Sequence, residues 1–243
     1  MIEFCTVADD EPALNFSPLL RGVQKTFAYV QEHGSIGLTP SKAFKRNFVH
    51  WAAAEFNWPG HSEADLFAVN KVLNEHDFMP LGDIHFLLTT LKMGWHYKGS
   101  FKLTKAGSEL IDQPGRLFGI ITPFYLFELN HTGYTRFSDE PPLGNWNMFM
   151  NILNVEAEDS ITGADLRRTL YGNPDQTPGS SYDDILGSLY LNILRPLCWA
   201  GLLHVDRAKG FQSTERSVFT KTPLWKAALK LETDPLVKTA TRH

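Results

Sequence analysis

Cysteine is nearly absent from this sequence. Only Cys5 and Cys198 occur among the 243 residues, and they lie far apart. Small secreted domains depend on several disulfides, so this count excludes a disulfide framework and favours two unpaired thiols in a reducing compartment. The first residues also lack a basic segment followed by an apolar run, so we expect no export signal. These features predict a cytoplasmic protein.

The sequence also lacks a long apolar run and an excess of positive charge. Its most apolar stretch, residues 117–129, is shorter than the roughly 18 residues of a membrane span, so we predict no membrane segment. The formal net charge is −4 at pH 7. A general electrostatic attraction to nucleic acid is therefore not expected, and DNA binding would depend on local basic patches.

Motifs of the common enzyme chemistries are missing as well. The sequence has no phosphate-binding P-loop, dinucleotide fingerprint, zinc-protease motif or serine-hydrolase elbow. We predict no cofactor and no metal, and we favour a binding protein over an enzyme with an unrecognised site. His61, Glu63 and Asp65 are close enough to suggest metal ligands, but both acids also suit the first turn of a helix. His85 and His96 could converge, although no spacing requires it, and His85 is interpreted as a partly buried histidine with a partner.

Apolar and aromatic residues are plentiful, at 43% and 12% of the chain, which predicts a folded protein of one large or two small domains. Residues 80–111 organise the first half. Apolar residues recur at helical spacing over 84–91, and Gly94 is predicted to end that helix. A turn at 98–100 separates two strand-like triplets, and Thr104 begins the next helix. This order of helix, hairpin and helix is typical of a winged helix.

Other helix signals precede this segment. Ser17-Pro18 predicts a helix start, and Gly34 predicts its end. Residues 36–38 predict a short strand, and Thr39-Pro40 is predicted to open another helix. Three cations would lie on the first turns of that helix: Lys42, Lys45 and Arg46.

The second half contains a similar pattern, which suggests a repeat. In this alignment Gly201 corresponds to Gly94, and Phe219-Thr220-Lys221 corresponds to Leu103-Thr104-Lys105. The second hairpin would then be nine residues longer than the first. We therefore predict a mainly α protein with short β-hairpins, built from tandem winged-helix-like units. The predicted parts are an arm (1–16), a first domain (17–130), a linker (131–145), a second domain (146–231) and a tail (232–243).

Two segments carry a family resemblance: GLTPSKAFKRNFVHWAAAEF and LLTTLKMGWHYKGSFKLTKAGSELIDQP. Together they make residues 36–114 resemble the C-terminal part of a family of uncharacterised plasmid-borne bacterial proteins. The resemblance implies a helix followed by a wing in this region. It implies no catalytic residue and no cofactor.

Charge determines where DNA could be contacted. The helices before the two predicted wings are not basic, which argues against base reading by these helices. Cations are found elsewhere, on the predicted helix start described above and around the second wing. The second group comprises Arg207, Lys209 and Arg216. We therefore predict a non-enzymatic bacterial binding protein that contacts DNA phosphates through both groups.

The alternative is a protein-interaction or dimerisation module without DNA binding. The aromatic stretch 118–129 and Trp146 suit a contact surface, because aromatic residues concentrate binding energy there. They equally suit a core. Exposure of 118–129 would favour a partner, and burial would favour a structural role.

Overall fold

The computed structural model describes residues 2–131, 141–173, 182–209 and 213–240. This part of the chain is mainly helical, with small antiparallel sheets. It divides into two compact units. The first unit is Val7–Thr122, and the second combines Met1–Thr6 with Pro123–His243.

The helices are α1 (Pro18–His33), α2 (Arg46–Glu55), α3 (Glu63–Val69), α4 (Met79–Thr90), α5 (Lys105–Glu109), α6 (Pro114–Phe127), α7 (Trp146–Glu156), α8 (Gly163–Tyr171), α9 (Tyr182–Leu189), α10 (Arg195–Ala200), α11 (Ser213–Arg216), α12 (Pro223–Ala228) and α13 (Asp234–Ala240). A single π-helical turn, Tyr190–Leu194, joins α9 to α10. No described helix is both long enough and apolar enough to cross a membrane.

The strands are β1 (Glu3–Phe4), β2 (Ile36–Gly37), β3 (Gly94–Tyr97), β4 (Ser100–Leu103), β5 (Ile161–Thr162), β6 (Leu203–Asp206), β7 (Val218–Lys221) and β8 (Leu229–Lys230). They form antiparallel sheets in the orders β2-β4-β3, β5-β7-β6 and β1-β8.

The caps of α1 agree with the sequence. Ser17 Oγ accepts a hydrogen bond from the Leu20 N–H at 3.1 Å, and Pro18 occupies the first helical position. Gly34 ends the helix with a φ of 78°, a conformation that costs glycine little. The core of this unit includes the fully buried rings of Phe27, Phe44, Phe48, Phe56 and Phe101.

The predicted helix start at Thr39-Pro40 is wrong. Residues 39–45 form a closed turn in which the Thr39 N–H donates to the Ala43 carbonyl oxygen at 2.8 Å. Lys42 has a φ of 67°, which a right-handed helix does not allow. Helix α2 begins only at Arg46, after the turn has closed.

The predicted role of Gly94 as the residue that ends the preceding helix is also wrong. The left-handed residue after α4 is Lys92, with a φ of 56°, whereas Gly94 is the first residue of β3. A Cβ atom on Gly94 would lie 2.0 Å from the Phe101 ring, so glycine is needed for close packing. The hairpin itself is as expected, with a two-residue turn at Lys98 and Gly99, both at positive φ.

We expect Gly94→Ala to lower the free energy of unfolding by about 1–3 kcal/mol, because the added methyl group must displace the Phe101 ring. Gly82→Ala in α4 is the matched control, since a Cβ there meets nothing within 4 Å. Urea unfolding of both variants tests this. Equal stability of the two variants would contradict the packing role.

Both units contain a helix, a short strand, further helices and a hairpin in that order. Helices α2, α3 and α4 lie between the short strand and the hairpin in the first unit, and α8 and the α9–α10 segment lie there in the second. Two residues join β3 to β4, and eleven join β6 to β7, which confirms the predicted difference of nine. The predicted residue alignment is displaced by two positions. The Thr104 N–H donates to the Met93 carbonyl at 2.9 Å, and the Thr222 N–H donates to the Leu202 carbonyl at 3.0 Å. Thr222, not Thr220, is therefore the counterpart of Thr104.

The predicted arm and tail carry regular structure. Strand β1 pairs with β8 through Phe4 and Leu229, and Ala13 and Leu14 are buried within a short helical turn. The segment predicted as a tail contains α13. The predicted linker falls largely on residues 132–140, which lie outside the described part of the chain.

The aromatic stretch 118–129 is mostly buried. Phe118, Ile121, Tyr125 and Leu126 are all at most 1% exposed. Helix α6 continues through Pro123 without a break. Burial favours the structural role for this stretch over a partner surface.

His131 makes the second unit sensitive to acid. Its Nε2–H donates to the Tyr125 carbonyl oxygen at 2.8 Å, and burial lowers the pKa of His131 from 6.5 to about 4. The unfolded chain therefore protonates His131 near pH 6.5, whereas the folded unit protonates it only near pH 4. Acid in this range consequently favours the unfolded chain.

We expect acidification from pH 7 to pH 5 to remove about 2 kcal/mol of unfolding free energy through this residue. His131→Gln keeps a donor for the Tyr125 carbonyl but does not titrate. Urea unfolding at both pH values compares the two proteins. Parallel losses in the natural protein and the variant would contradict the prediction.

Candidate functional site

Three predicted cations lie together on the first unit. Lys42, Lys45 and Arg46 are all exposed, on the closed turn and at the start of α2. The residues from Thr39 to Arg46 are called the basic loop below. Lys45 precedes α2 and gives it no side-chain cap, so the positive end of this helix faces the same region as the three cations.

A groove of about 550 Å³ opens beside the basic loop. The Arg46 Nε donates to Asn74 Oδ1 at 2.9 Å across it. The hydroxyl groups of Thr39 and Ser41 lie 3.0 Å apart at its edge. The groove is lined by Thr39, Ser41, Ala43, Phe44, Lys45, Arg46, Asn47, Asn74, Glu75 and His76.

A buried carboxylate anchors the basic loop from below. Glu75 is 8% exposed, and its Oε2 accepts a hydrogen bond from the Phe44 N–H. Its Oε1 lies 2.6 Å from His85 Nδ1, which donates to it. The His85 ring in turn stacks on the Phe44 ring, with centroids 3.9 Å apart and planes 15° apart. The loop backbone and its buried ring are therefore both fixed to one Glu–His pair.

The Glu75–His85 pair is connected to a third side chain, that of His96. His85 Nε2 lies 2.8 Å from His96 Nε2 on β3, so one hydrogen is shared between the two rings. Burial lowers the pKa of His96, and the nearby charges of His85 and Lys42 lower it further. The lowered pKa favours the neutral form of His96, and the contact between the two Nε2 atoms is then a single N–H···N hydrogen bond.

The cations predicted on the second unit also lie together, all exposed in the connection between β6 and β7. Arg207 Nη2 donates to the Tyr190 hydroxyl at 2.8 Å, and Arg216 Nη2 donates to the Lys209 carbonyl at 2.8 Å. Residues 210–212 of this connection lie outside the described part. The structure thus assembles the predicted site residues into two groups, one on each unit.

The helices before the hairpins offer few side chains for base reading. Asp83 and His85 on the first unit are buried, as are Asn192 and Arg195 on the second. The Arg195 guanidinium lies 4.9 Å from the centre of the Trp199 ring. These polar groups therefore serve packing within each unit.

Sequence reasoning missed a third surface, the outer face of the first hairpin. Trp95 and Tyr97 are 48% and 41% exposed, and their ring centroids lie 5.0 Å apart. The ammonium groups of Lys98 and Lys102 lie 5.2 and 5.8 Å from the Tyr97 ring centre. The alternation of exposed Trp95, inward His96 and exposed Tyr97 along a strand was the available signal.

No group of three or more potential metal ligands occurs among the described residues. Ser62 and Asp65 form a capping box at the start of α3, which confirms the helix-start interpretation of the acids near His61. Burial raises the pKa of the Cys198 thiol to about 12, which keeps this thiol protonated at neutral pH.

Comparisons with known proteins match both halves of the chain. Residues 15–116 match the Y4jL N-terminal domain, and residues 135–223 match the y4jL C-terminal domain. An uncharacterized protein y4jL from Sinorhizobium fredii (strain NBRC 101917 / NGR234) is 38% identical over 168 residues, which cover 69% of this chain and 74% of that protein. The chain belongs to the y4jL family.

The predicted family resemblance is therefore confirmed, with one change of position. Residues 36–114 fall within the match to the family's N-terminal domain, not its C-terminal part. No solved structure matches the chain significantly.

We expect Glu75→Ala to destabilise the first unit, because it leaves the Phe44 N–H and His85 Nδ1–H without an acceptor, at about 1–3 kcal/mol each. Glu75→Gln should cost less, since its amide oxygen accepts from Phe44 while His85 exchanges tautomer. Exposed His76→Ala is the neighbouring control. Urea unfolding and amide exchange at Phe44 measure the effect, and equal results for Glu75→Ala and His76→Ala would refute the anchor.

Proposed function

We propose that the two units are winged-helix-like modules. Each has a helix, a short strand, further helices and a hairpin, with α3 as an additional helix in the first unit. In each, the short strand pairs with the second strand of the hairpin. This order and pairing are those of a winged helix, in which the hairpin is the wing. The first and second hairpins would then be the two wings.

We further propose that this bacterial protein binds DNA without acting on it, in the cytoplasm. The supporting observation is the basic loop, where three exposed cations and the positive end of α2 are held in place by a buried Glu–His pair. Cations at a helix N-terminus are a good arrangement for a phosphate group. The buried anchor fixes the backbone of the basic loop, which reduces the backbone entropy that the loop loses on binding.

The second wing adds a separate group of cations. Arg207 and Arg216 are tied by hydrogen bonds to Tyr190 and to the Lys209 backbone, which limits the positions of their guanidinium groups. A long cationic wing suits contacts along a phosphate backbone or in a minor groove. Burial of the polar side chains on the preceding helices supports contact with the backbone over reading of base edges.

Fluorescence anisotropy with random duplex DNA, at salt concentrations from about 50 to 200 mM, tests this function. Binding that weakens steeply with salt would support phosphate contacts. Absence of binding at the lowest salt would refute the proposal.

We expect Lys45→Glu and Arg46→Glu each to weaken binding about tenfold and to reduce the salt slope by about 0.9 for each phosphate that the variant no longer neutralises. Lys226→Glu on α12 makes the same charge change on an exposed residue outside both cationic groups, so it is the matched control. If Lys226→Glu weakened binding as much as the other two variants, the loss would reflect the net charge of the protein and would contradict a specific site at the basic loop.

A second candidate function is protein interaction, favoured by exposed apolar side chains on and after α3. Phe67, Val69 and Val72 are 38%, 81% and 45% exposed. Because residues 118–129 are mostly buried, the exposed side chains on and after α3 are the better candidate for a contact surface. Light scattering on the anisotropy samples distinguishes the two functions, since self-association would appear without DNA.

A further inference from the structure

The first wing and the residues beside it are rich in lysine. Residues 92–108 contain four lysines and no aspartate or glutamate, although the chain carries a net charge of −4. Two of these lysines, Lys98 and Lys102, lie beside the exposed Tyr97 ring, and Lys102 lies opposite the exposed Trp95 in the strand register. A local positive field therefore surrounds two solvent-facing aromatic side chains.

The strand geometry fixes these rings on one face. Trp95 and Tyr97 are two residues apart on β3, so both point away from the buried Phe101 and from His96. Trp95 lies opposite Lys102 in the register, and Tyr97 lies opposite Ser100. The inner face is held by the His85–His96 contact and by the close approach of Gly94 to Phe101. The aromatic face is thus presented by a supported strand pair.

The turn that connects the two strands of this hairpin has a second feature that is typical of functional sites. Lys98 has a φ of 46°, a conformation that glycine, asparagine and aspartate adopt more easily. A lysine at this position costs stability, and strain of this kind is concentrated at functional sites. The lysine places a cation beside the Tyr97 ring at the exposed tip.

We propose that this face binds unpaired nucleotides, with bases stacked on Trp95 and Tyr97 and the phosphate backbone neutralised by Lys98 and Lys102. Exposed aromatic rings among cations are the usual means of binding single strands without sequence preference. Charge complementarity selects a polyanion, and the two planar rings select one with accessible bases. This inference rests on the proposed nucleic-acid function and assigns it a strand preference: single strands or unpaired ends at the first wing.

The experiment compares a labelled single-stranded oligothymidine with a random duplex, using the full chain and fluorescence anisotropy. We expect Trp95→Ala and Tyr97→Ala each to weaken single-strand binding at least fivefold and duplex binding less than twofold. Trp95→Phe and Tyr97→Phe keep a ring and should retain most of the affinity. Phe16→Ala, which removes a ring that is 48% exposed and lies outside both hairpins, is the matched control and should leave both affinities unchanged.

Lys98→Asn is an independent variant that we expect to stay folded, so that weaker binding by it would not reflect unfolding. Asparagine suits the positive φ, so we expect a higher melting temperature together with weaker single-strand binding. Gain of stability with unchanged binding would remove Lys98 from the site and overturn the proposed role of the wing tip.

The outcomes separate this inference from the proposed duplex function. Salt-dependent duplex binding with no effect of the aromatic variants on single strands would overturn the inference alone. Single-strand binding that depends on Trp95 and Tyr97, without duplex binding, would support the inference and refute the duplex contacts. Binding to phosphatidylserine vesicles that depends on the same rings, with no nucleic-acid binding, would overturn both.

Discussion

The buried carboxylate of Glu75 is the contact on which the surface of the first unit depends. It accepts one hydrogen bond from the backbone of the basic loop and another from the side chain of His85 on α4. An ionised group is costly to bury unless its lone pairs are occupied, so the two donors and the carboxylate require one another. Through His85 and His96 the same contact reaches the first hairpin. One series of hydrogen bonds therefore joins the basic loop, a core helix and the hairpin.

The two units have a similar order of elements with different hairpins. The first hairpin turns in two residues and has aromatic and lysine side chains on its outer face. The second contains an eleven-residue connection with arginine side chains tied to neighbouring groups. A short, supported hairpin suits stacking of planar groups, whereas a long one suits contacts along a backbone. In our proposals, the two units are thus modules with complementary ways of contacting nucleic acid.

Much of the fold could be predicted from local patterns. The caps at Ser17, Gly34 and Thr104 depend on nearby residues, and so does the hairpin turn at Gly99. The false helix start at Thr39 arose because a Thr-Pro pair also suits a closed turn, and only the pairing of Leu38 with Phe44 decides between them. The role of Gly94 was missed for a similar reason, since it depends on the ring of Phe101.

The candidate site was predictable only in part. Clusters of Lys and Arg are visible in sequence, and the structure keeps each cluster together. The hydrogen-bonded series Glu75–His85–His96 is not visible in the sequence, because its members come from three elements and are joined by tertiary packing. The sequence allows His85 and His96 to converge, but no spacing identifies Glu75 as their partner.

The most direct test of the central claim is an amide NMR titration of the full chain with a DNA containing both a duplex and an unpaired overhang. We expect the largest shifts at the amides of the basic loop and at Trp95 to Lys102, with smaller shifts in α3. Shifts confined to α3, or no shifts at low salt, would contradict it.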